Sequence, residues 1–247
     1  MDQSDIRRIE CLAFNAWPAL RTALRDGWIL RFADGHTKRA NSANAMWTPR
    51  TPLDARIGAF EADYRRAGLT PIFRVTPLAE PELDDALAAR GYTRFDESIV
   101  LTGGLGAAQS PSAPGIDIDP DPEAGWLADL ARAADAGARE RATLARMLAC
   151  LVPPAAFVRI RDAGAPVAFA MGVVDDGHLG IFEVLTSPEA RGRGHARSAL
   201  EALFAWAKGR GASRAYLQVA EANAPARALY ERLGFATAYR YHYRRAP

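Results

Sequence analysis

The sequence predicts an α/β (α+β) fold: a mixed, mostly antiparallel central sheet flanked by helices. Three observations carry this. Short alternating or apolar runs joined by Asp/Gly turns mark a meander of strands, stretches with apolar residues every three or four positions mark helices, and one strand–helix–strand crossover requires a parallel pair. With 247 residues, 49% of them hydrophobic and 24% charged, the chain can fill one large core or two smaller ones.

Taken along the chain, "DGWILRFADGHTKRANSANAMW" reads as a hairpin around Asp34-Gly35, and "TPLDARIGAFEADYRRAG" as a helix. A strand, a short helix and a second strand follow in "LTPIFRVTPLAEPELDDALAARGYTRFDESIVL". Between Gly103 and Gly125, Gly, Pro, Ser and Asp crowd out large apolar residues, the composition of a linker. We therefore divide the chain into a first half (1–102), a linker (103–114) and a second half (115–247), with "GIDID" as a possible opening strand. Two amphipathic helices over 123–135 and 138–150 end at Pro153-Pro154. "AFVRIRD" and "PVAFAMGVV" flank a turn at 162–165, and "HLGIFEVLT" is the third strand of the meander. Leu200, Leu203, Phe204 and Ala207 give the next helix one buried stripe. "RAYLQV" is a strand, "APARALYERLG" a short helix with Pro225 early and Gly234 as its stop, and "ATAYRYHYRR" a final strand.

The two halves share a pattern. Gly68 and Gly91 are spaced as Gly211 and Gly234 are, each pair enclosing a strand and a helix, which points to an internal repeat.

Composition excludes several classes. Thirty-one basic and 29 acidic residues leave a net charge of +2, which does not imply a surface dedicated to nucleic acid or membrane. The two cysteines, Cys11 and Cys150, form no disulfide framework, the four histidines have no metal-ligand spacing, and no run is long enough for a signal peptide core or a membrane span. The expected setting is the cytoplasm, with no metal, no nucleic acid and no membrane partner.

The stretch Arg191-Gly192-Arg193-Gly194-His195-Ala196 lies between a strand and a helix. Such a turn presents unpaired N–H groups at the positive end of a helix dipole, an anion site. It is not a Walker A loop, lacking the Lys, and it is not a dinucleotide fingerprint, because Arg197 stands where the third glycine belongs. It closely resembles the acyl-CoA pyrophosphate loop of the GNAT superfamily of N-acyltransferases, Arg/Gln-x-x-Gly-x-Gly/Ala. A second segment, "NAPARALYERLGF" from Asn223 to Phe235, is similar to that family's Asn-x-x-Ala-x-x-Leu-Tyr-x-x-x-Gly-Phe motif. The resemblance covers residues 115–247.

The resemblance implies acetyl-CoA as cosubstrate, lying where the fourth and fifth strands splay. Val184, Leu185 and Thr186 would bond its pantetheine arm, Arg191 to Ala196 (Arg191, Gly192, Arg193, Gly194, His195, Ala196) would hold the pyrophosphate, Asn223 would contact pantetheine, and Tyr230 would protonate the departing thiolate. Direct attack by a primary amine on the thioester needs a proton acceptor. Glu183 is the candidate, with a water chain or His178 as alternatives. In several relatives the acid falls one residue earlier, at the position of Phe182. Because one residue changes strand face, Glu183 requires a bulge to point correctly.

At the equivalent helix start the first half carries Pro49-Arg50-Thr51-Pro52, without the glycines, and is expected to be a degenerate, non-binding copy that shapes the acceptor site. An unrelated cap is the alternative. Lys38, Arg39, Asn41, Ser42 and Asn44, with Trp28 and Trp47, suit a pocket wall or a contact between the halves, and Lys38-Arg39 suit an acidic acceptor. Tyr239, Tyr241 and Tyr243 share one strand face and are expected to pack the sheet against the first half.

The expected function is acetyl transfer to a primary amine of a small molecule or peptide, by a monomer or homodimer. Use of a longer acyl-CoA, or a non-catalytic acyl-CoA sensor, are the alternatives.

Overall fold

Both halves contain the succession of three strands, helix, strand, helix and strand, and the second adds an opening strand and a further helix, as seen in a computed structural model that describes residues 1–106, 115–122 and 124–247. The first half is α1 (Gln3–Ala16), β1 (Arg21–Arg25), β2 (Trp28–Phe32), β3 (Ala43–Ala45), α2 (Leu53–Arg66), β4 (Ile72–Val75), α3 (Leu83–Ala89) and β5 (Thr93–Gly104). The second is β6 (Ile116–Asp119), α4 (Ala124–Ala133), α5 (Ala138–Leu148), β7 (Ala155–Asp162), β8 (Ala165–Asp175), β9 (His178–Thr186), α6 (His195–Lys208), β10 (Arg214–Ala220), α7 (Ala224–Arg232) and β11 (Ala236–Arg245).

The repeat read from glycine spacing has a physical basis. Gly68, Gly91, Gly211 and Gly234 all adopt positive φ, between 69° and 85°, and each ends a helix with the same paired bonds. Leu69, Tyr92, Ala212 and Phe235 donate back to Tyr64, Leu87, Ala207 and Tyr230. Four left-handed helix stops at matching places fix two copies of one helix–strand–helix–strand path.

The strands form one sheet in the order β1-β2-β3-β4-β11-β5-β10-β9-β8-β7-β6. Only β3–β4 and β9–β10 are parallel among the described pairs. The expected crossover therefore occurs in both halves. The last strands have changed places: β5 lies between β10 and β11, and β11 pairs with both β4 and β5.

One strand was not foreseen and one expectation is corrected. β2 and β3 pair antiparallel across the connection that holds Asp34-Gly35, as the expected hairpin requires, and a further, tighter hairpin at Asp26-Gly27 joins the unforeseen β1 to β2. Both Asp-Gly pairs turn with positive φ, but the exposed strand "RTALR" lacks the apolar signal that makes "WILRF" legible. Gly103 and Gly104, read as the start of the linker, end β5 opposite Ala215 and Arg214. A side chain at Gly103 would lie 3.1 Å from the Phe235 ring, so this glycine serves packing. Residues 107–114 of the linker lie outside the described residues.

Helices α6 and α7 cover one face of the second half, and α2 and α3 cover the corresponding core of the first. A third core, under α1, α4 and α5, is shared by both halves and contains Tyr239, Tyr241 and Tyr243, as expected for the tyrosine row. In it Arg74 pairs with Glu10, which also accepts from the Tyr239 hydroxyl. Arg74 also lies over the Tyr241 ring, 3.8 Å from its centroid. No helix among the described residues is long and apolar enough to cross a membrane.

Both members of the Glu10–Arg74 pair are about 1% exposed, so removing one leaves an unpaired charge in the core. Glu10→Ala is expected to lower stability by about 3–5 kcal/mol in urea denaturation. Glu10→Ala combined with Arg74→Leu should recover part of that loss.

Candidate active site

The site begins where β9 leaves β10. The two strands pair from His178–Arg214 to Ile181–Leu217 and no further, although β9 continues to Thr186 along β8. Beyond Ile181 the β10-facing edge of β9 is open, and its N–H and C=O groups face a gap.

At the mouth of that gap the β8–β9 register shifts. Phe169 opposes Leu185 and Met171 opposes Phe182, so Ala170 alone faces Glu183 and Val184. This is a β-bulge, with Glu183 at φ 50°, a costly conformation for a residue with a side chain. Its effect is to reverse the alternation: Val184 packs with the α6–α7 core, while Phe182 and Leu185 both face the shared core. The bulge required for Glu183 is therefore present. Phe182 stacks on Trp17, ring centroids 5.6 Å apart and 9° from parallel, which seats the end of α1 beside the bulge. Burial pushes the half-buried Glu183 carboxyl above its ordinary value, and Arg39 offsets this only in part.

On the α6–α7 face the gap opens into a cleft of about 720 Å³. Val184, Leu185 and Thr186 form one wall, and Asn223 and Tyr230 on α7 the other. At its foot are Arg191, Gly192, Gly194, His195 and Ala196. Gly192 and Gly194 have φ of 77° and 85°, and nothing lies within 4 Å of where their Cβ atoms would be. Gly194 is the N-cap of α6 and brings no side chain to bond the first-turn N–H groups, which are left for an anion.

The remaining site residues divide. Asn223 caps α7 through Oδ1, accepting from Ala226 at 3.2 Å, so its amide NH₂ is left for the cleft. Tyr230 is 6% exposed, and burial raises its phenol to about 12. Arg193 does not turn into the cleft; its guanidinium donates to Asp162 at 3.2 Å, leaving only its backbone for the loop. His195 Nε2 is buried without a hydrogen-bond partner. His178 opens β9 at the far end from the bulge, with Nδ1 2.7 Å from the Asp176 carbonyl. Arg197, from the glycine-arginine stretch, and Arg232 also line the cleft; sequence reasoning missed Arg232 because a single arginine on an exposed helix carries no motif. Among the described residues no group of His, Cys, Asp and Glu is placed to hold a metal, and both cysteines are free.

A family model described as "Probable histone acetyltransferase Rv0428c C-terminal" matches residues 3–244. The chain belongs to this family. It is 29% identical over 248 residues to "Uncharacterized N-acetyltransferase YobR" of Bacillus subtilis (strain 168), spanning 97% of this chain and 98% of that protein. Its fold is similar to a GCN5-related N-acetyltransferase from Kribbella flavida, with TM-score 0.71, 21% identity and coverage of 98% and 95%. It is also similar to a tandem GNAT protein from the clavulanic acid biosynthesis pathway, with TM-score 0.65, 15% identity and coverage of 98% and 88%. The fold is that of the GNAT superfamily, and the chain is an acyltransferase of the N-acetyltransferase type.

The first half is built differently: the start of α2 carries no glycines. At the start of α2 the Asp26 carboxylate accepts from Arg50 N–H at 2.9 Å and Thr51 N–H at 2.7 Å. These bonds hold Asp26 below the usual carboxylate range. A carboxylate of the chain itself thus engages the two N–H groups that lead into α2, just before its N-cap Pro52. Of the polar residues singled out in this half, Asn41, Ser42 and Asn44 are buried and Trp28 fills the first-half core. Lys38 pairs with Asp96, Trp47 stays 47% exposed, and Arg39 is half-buried.

Because the folded-state pKa of Glu183 is raised, its ionisation destabilises the fold as pH climbs past the ordinary glutamate value of about 4.3. Glu183→Gln should therefore raise the thermal midpoint at pH 8. The difference should vanish below pH 4, where both side chains are neutral.

Proposed function

We propose that the second half transfers an acetyl group from acetyl-CoA to a primary amine by direct attack, and that the first half is a degenerate copy in a tandem arrangement. The observation that carries this is the open β9 edge meeting a side-chain-free helix N-terminus within one cleft. The pyrophosphate sits on the N–H groups of Arg193 to Ala196, with Arg191, Arg197 and Arg232 adding charge. The pantetheine arm runs beside Val184 to Thr186 as an added strand, contacts Asn223, and brings the thioester through the gap toward the bulge.

There the amine approaches from the opposite face of the sheet. Glu183, whose raised pKa brings it closer to that of an ammonium, takes the amine proton. The nitrogen bonds to the carbonyl carbon, backbone N–H groups of the open β9 edge stabilise the oxyanion, and the C–S bond breaks with its electron pair on sulfur. The second proton leaves the nitrogen for that sulfur, so that the products are the amide and the CoA thiol. Tyr230, at about 12, stays protonated and donates a hydrogen bond to the developing thiolate. A thiol near 8.5 is the stronger acid, so complete proton transfer from Tyr230 is uphill. Its contribution is stabilisation of the charge, with the proton held on oxygen.

Calorimetric titration should find about one equivalent of acetyl-CoA per chain, lost in Gly194→Glu, whose carboxylate repels the pyrophosphate. Two equivalents would contradict the non-binding first half, and none would contradict the acyltransferase assignment of the cleft. Tyr230→Phe should lower kcat about 100-fold, the lower end of the loss seen when one hydrogen-bond donor to a developing anion is removed, while acetyl-CoA affinity changes less than about threefold.

A further inference from the structure

Three guanidinium groups gather on the shared-core side of the sheet, near the bulge. Arg31 and Arg74 are buried, and Arg39 is half-buried. Their carboxylate supply is short. Glu10 is taken by Arg74 and Tyr239, and Arg31 is satisfied by two carbonyls, those of Arg39 (2.9 Å) and Trp17. Among the described residues Arg39 has no ion pair, and its Nε is buried with no hydrogen-bond partner. An unpartnered buried donor on a cation is costly and calls for a ligand.

The Arg39 backbone is held firmly. Asn41 ties the loop with four bonds, accepting from Ala33 and Gly35 and donating to the carbonyls of His36 and Thr37. Thr37 accepts from Trp17 Nε1 at 3.2 Å, and the Arg39 carbonyl accepts from Arg31. The same Trp17 stacks on Phe182, next to the bulge. The three guanidinium groups are balanced unequally: burial opposes the charged form of Arg39 and the Tyr241 and Tyr243 phenols, which favour it, outweigh that burial, whereas Arg31 has no carboxylate beside it among the described residues. Burial and the neighbouring Arg74 and Arg39 lower Arg31 to about 9, and Arg39 and Arg74 hold the Tyr241 phenol below its ordinary value against the opposing effect of burial.

Arg39 and Glu183 feel each other's charge without forming an ion pair. We propose that the acceptor is a small amine bearing a carboxylate, as an amino acid does, with its amine directed to Glu183 and its carboxylate bound by Arg39. This rests on the acyltransferase reading of the cleft. A guanidinium binds a carboxylate through two parallel bonds, and the same cluster repels polyamines and the lysine-rich segments of basic proteins.

The test is a panel of matched amines assayed by thiol release from acetyl-CoA: the common amino acids, their amides, their decarboxylated amines, spermidine, and an N-terminally blocked histone-tail peptide. The expected kcat/KM for the carboxylate-bearing member exceeds that of its amide and its decarboxylated amine by about 10- to 100-fold, the worth of a charge-assisted pair. Arg39→Met should bring that ratio close to one through KM, with acetyl-CoA affinity by calorimetry unchanged within about twofold. Arg39→Lys, which keeps the charge and loses the fork, should leave an intermediate ratio, and it carries the test if the Met variant does not fold.

The inference is overturned if amides or cationic amines match the acids in the wild type, if the ratio survives in Arg39→Met, or if acetyl-CoA binds and no carboxylate-bearing amine turns over. Absence of acetyl-CoA binding would instead overturn the acyltransferase reading on which it rests.

Discussion

The separation of β9 from β10 after Ile181 is the constraint on which the site depends. Two parallel strands that begin in register can part only if one changes direction, and the bulge at Glu183 supplies that change at a local backbone cost of about 1–3 kcal/mol. The strain is held from both sides. Strand β8 continues to pair along the outer edge of β9, and Phe182 is clamped between Trp17 and an edge-on contact with Tyr216. The same distortion that opens the cleft on one face turns Glu183 toward the other. Donor and acceptor in the proposed reaction can then approach the gap from opposite sides of the sheet.

The two halves contribute unequally to this arrangement. They share a path, marked by four left-handed glycine stops, and differ at one helix start. In the second half Gly192 and Gly194 leave the N-terminus of α6 open; in the first, the approach to α2 carries prolines instead, and Asp26 bonds the N–H groups of Arg50 and Thr51 just before it. The first half instead supplies α1, which seats Trp17 on β9, and the loop that carries Arg39. The exchange of β5 and β11 at the centre of the sheet joins the halves through backbone hydrogen bonds on both sides of each exchanged strand. A change in the first-half loop can therefore reach the site without an intervening domain hinge.

What could be read in the sequence was what is local. The phosphate loop, the Asn223–Tyr230 segment and the helix stops are encoded within a few residues of themselves, and β9 was read with both its ends in place because Asp175-Asp176-Gly177 and Ser187-Pro188 bracket an apolar run. The need for a bulge was also legible, from the one-residue offset of Glu183. The strand exchange was not, since a strand's own residues do not say which partner lies beside it. Nor was the docking of α1, where Trp17 meets Phe182 across the two halves, or the bonding of Asp26 to the approach to α2, with partners more than twenty residues away. "RTALR" escaped notice because an edge strand exposed on both faces has no apolar alternation to show.

The central claim is that one coenzyme lies in the second-half cleft, with its pyrophosphate at the start of α6 and its thiol end at the bulge. A crystal structure of the protein with bound CoA tests it most directly. The account predicts pyrophosphate oxygens within hydrogen-bonding distance of the backbone nitrogens of residues 193–196, the pantetheine arm along Val184 to Thr186, and the sulfur beside Tyr230, with Asp26 still bonded to Arg50 and Thr51. A coenzyme seated at the start of α2, or one in the cleft with its thiol directed away from β9, would contradict it.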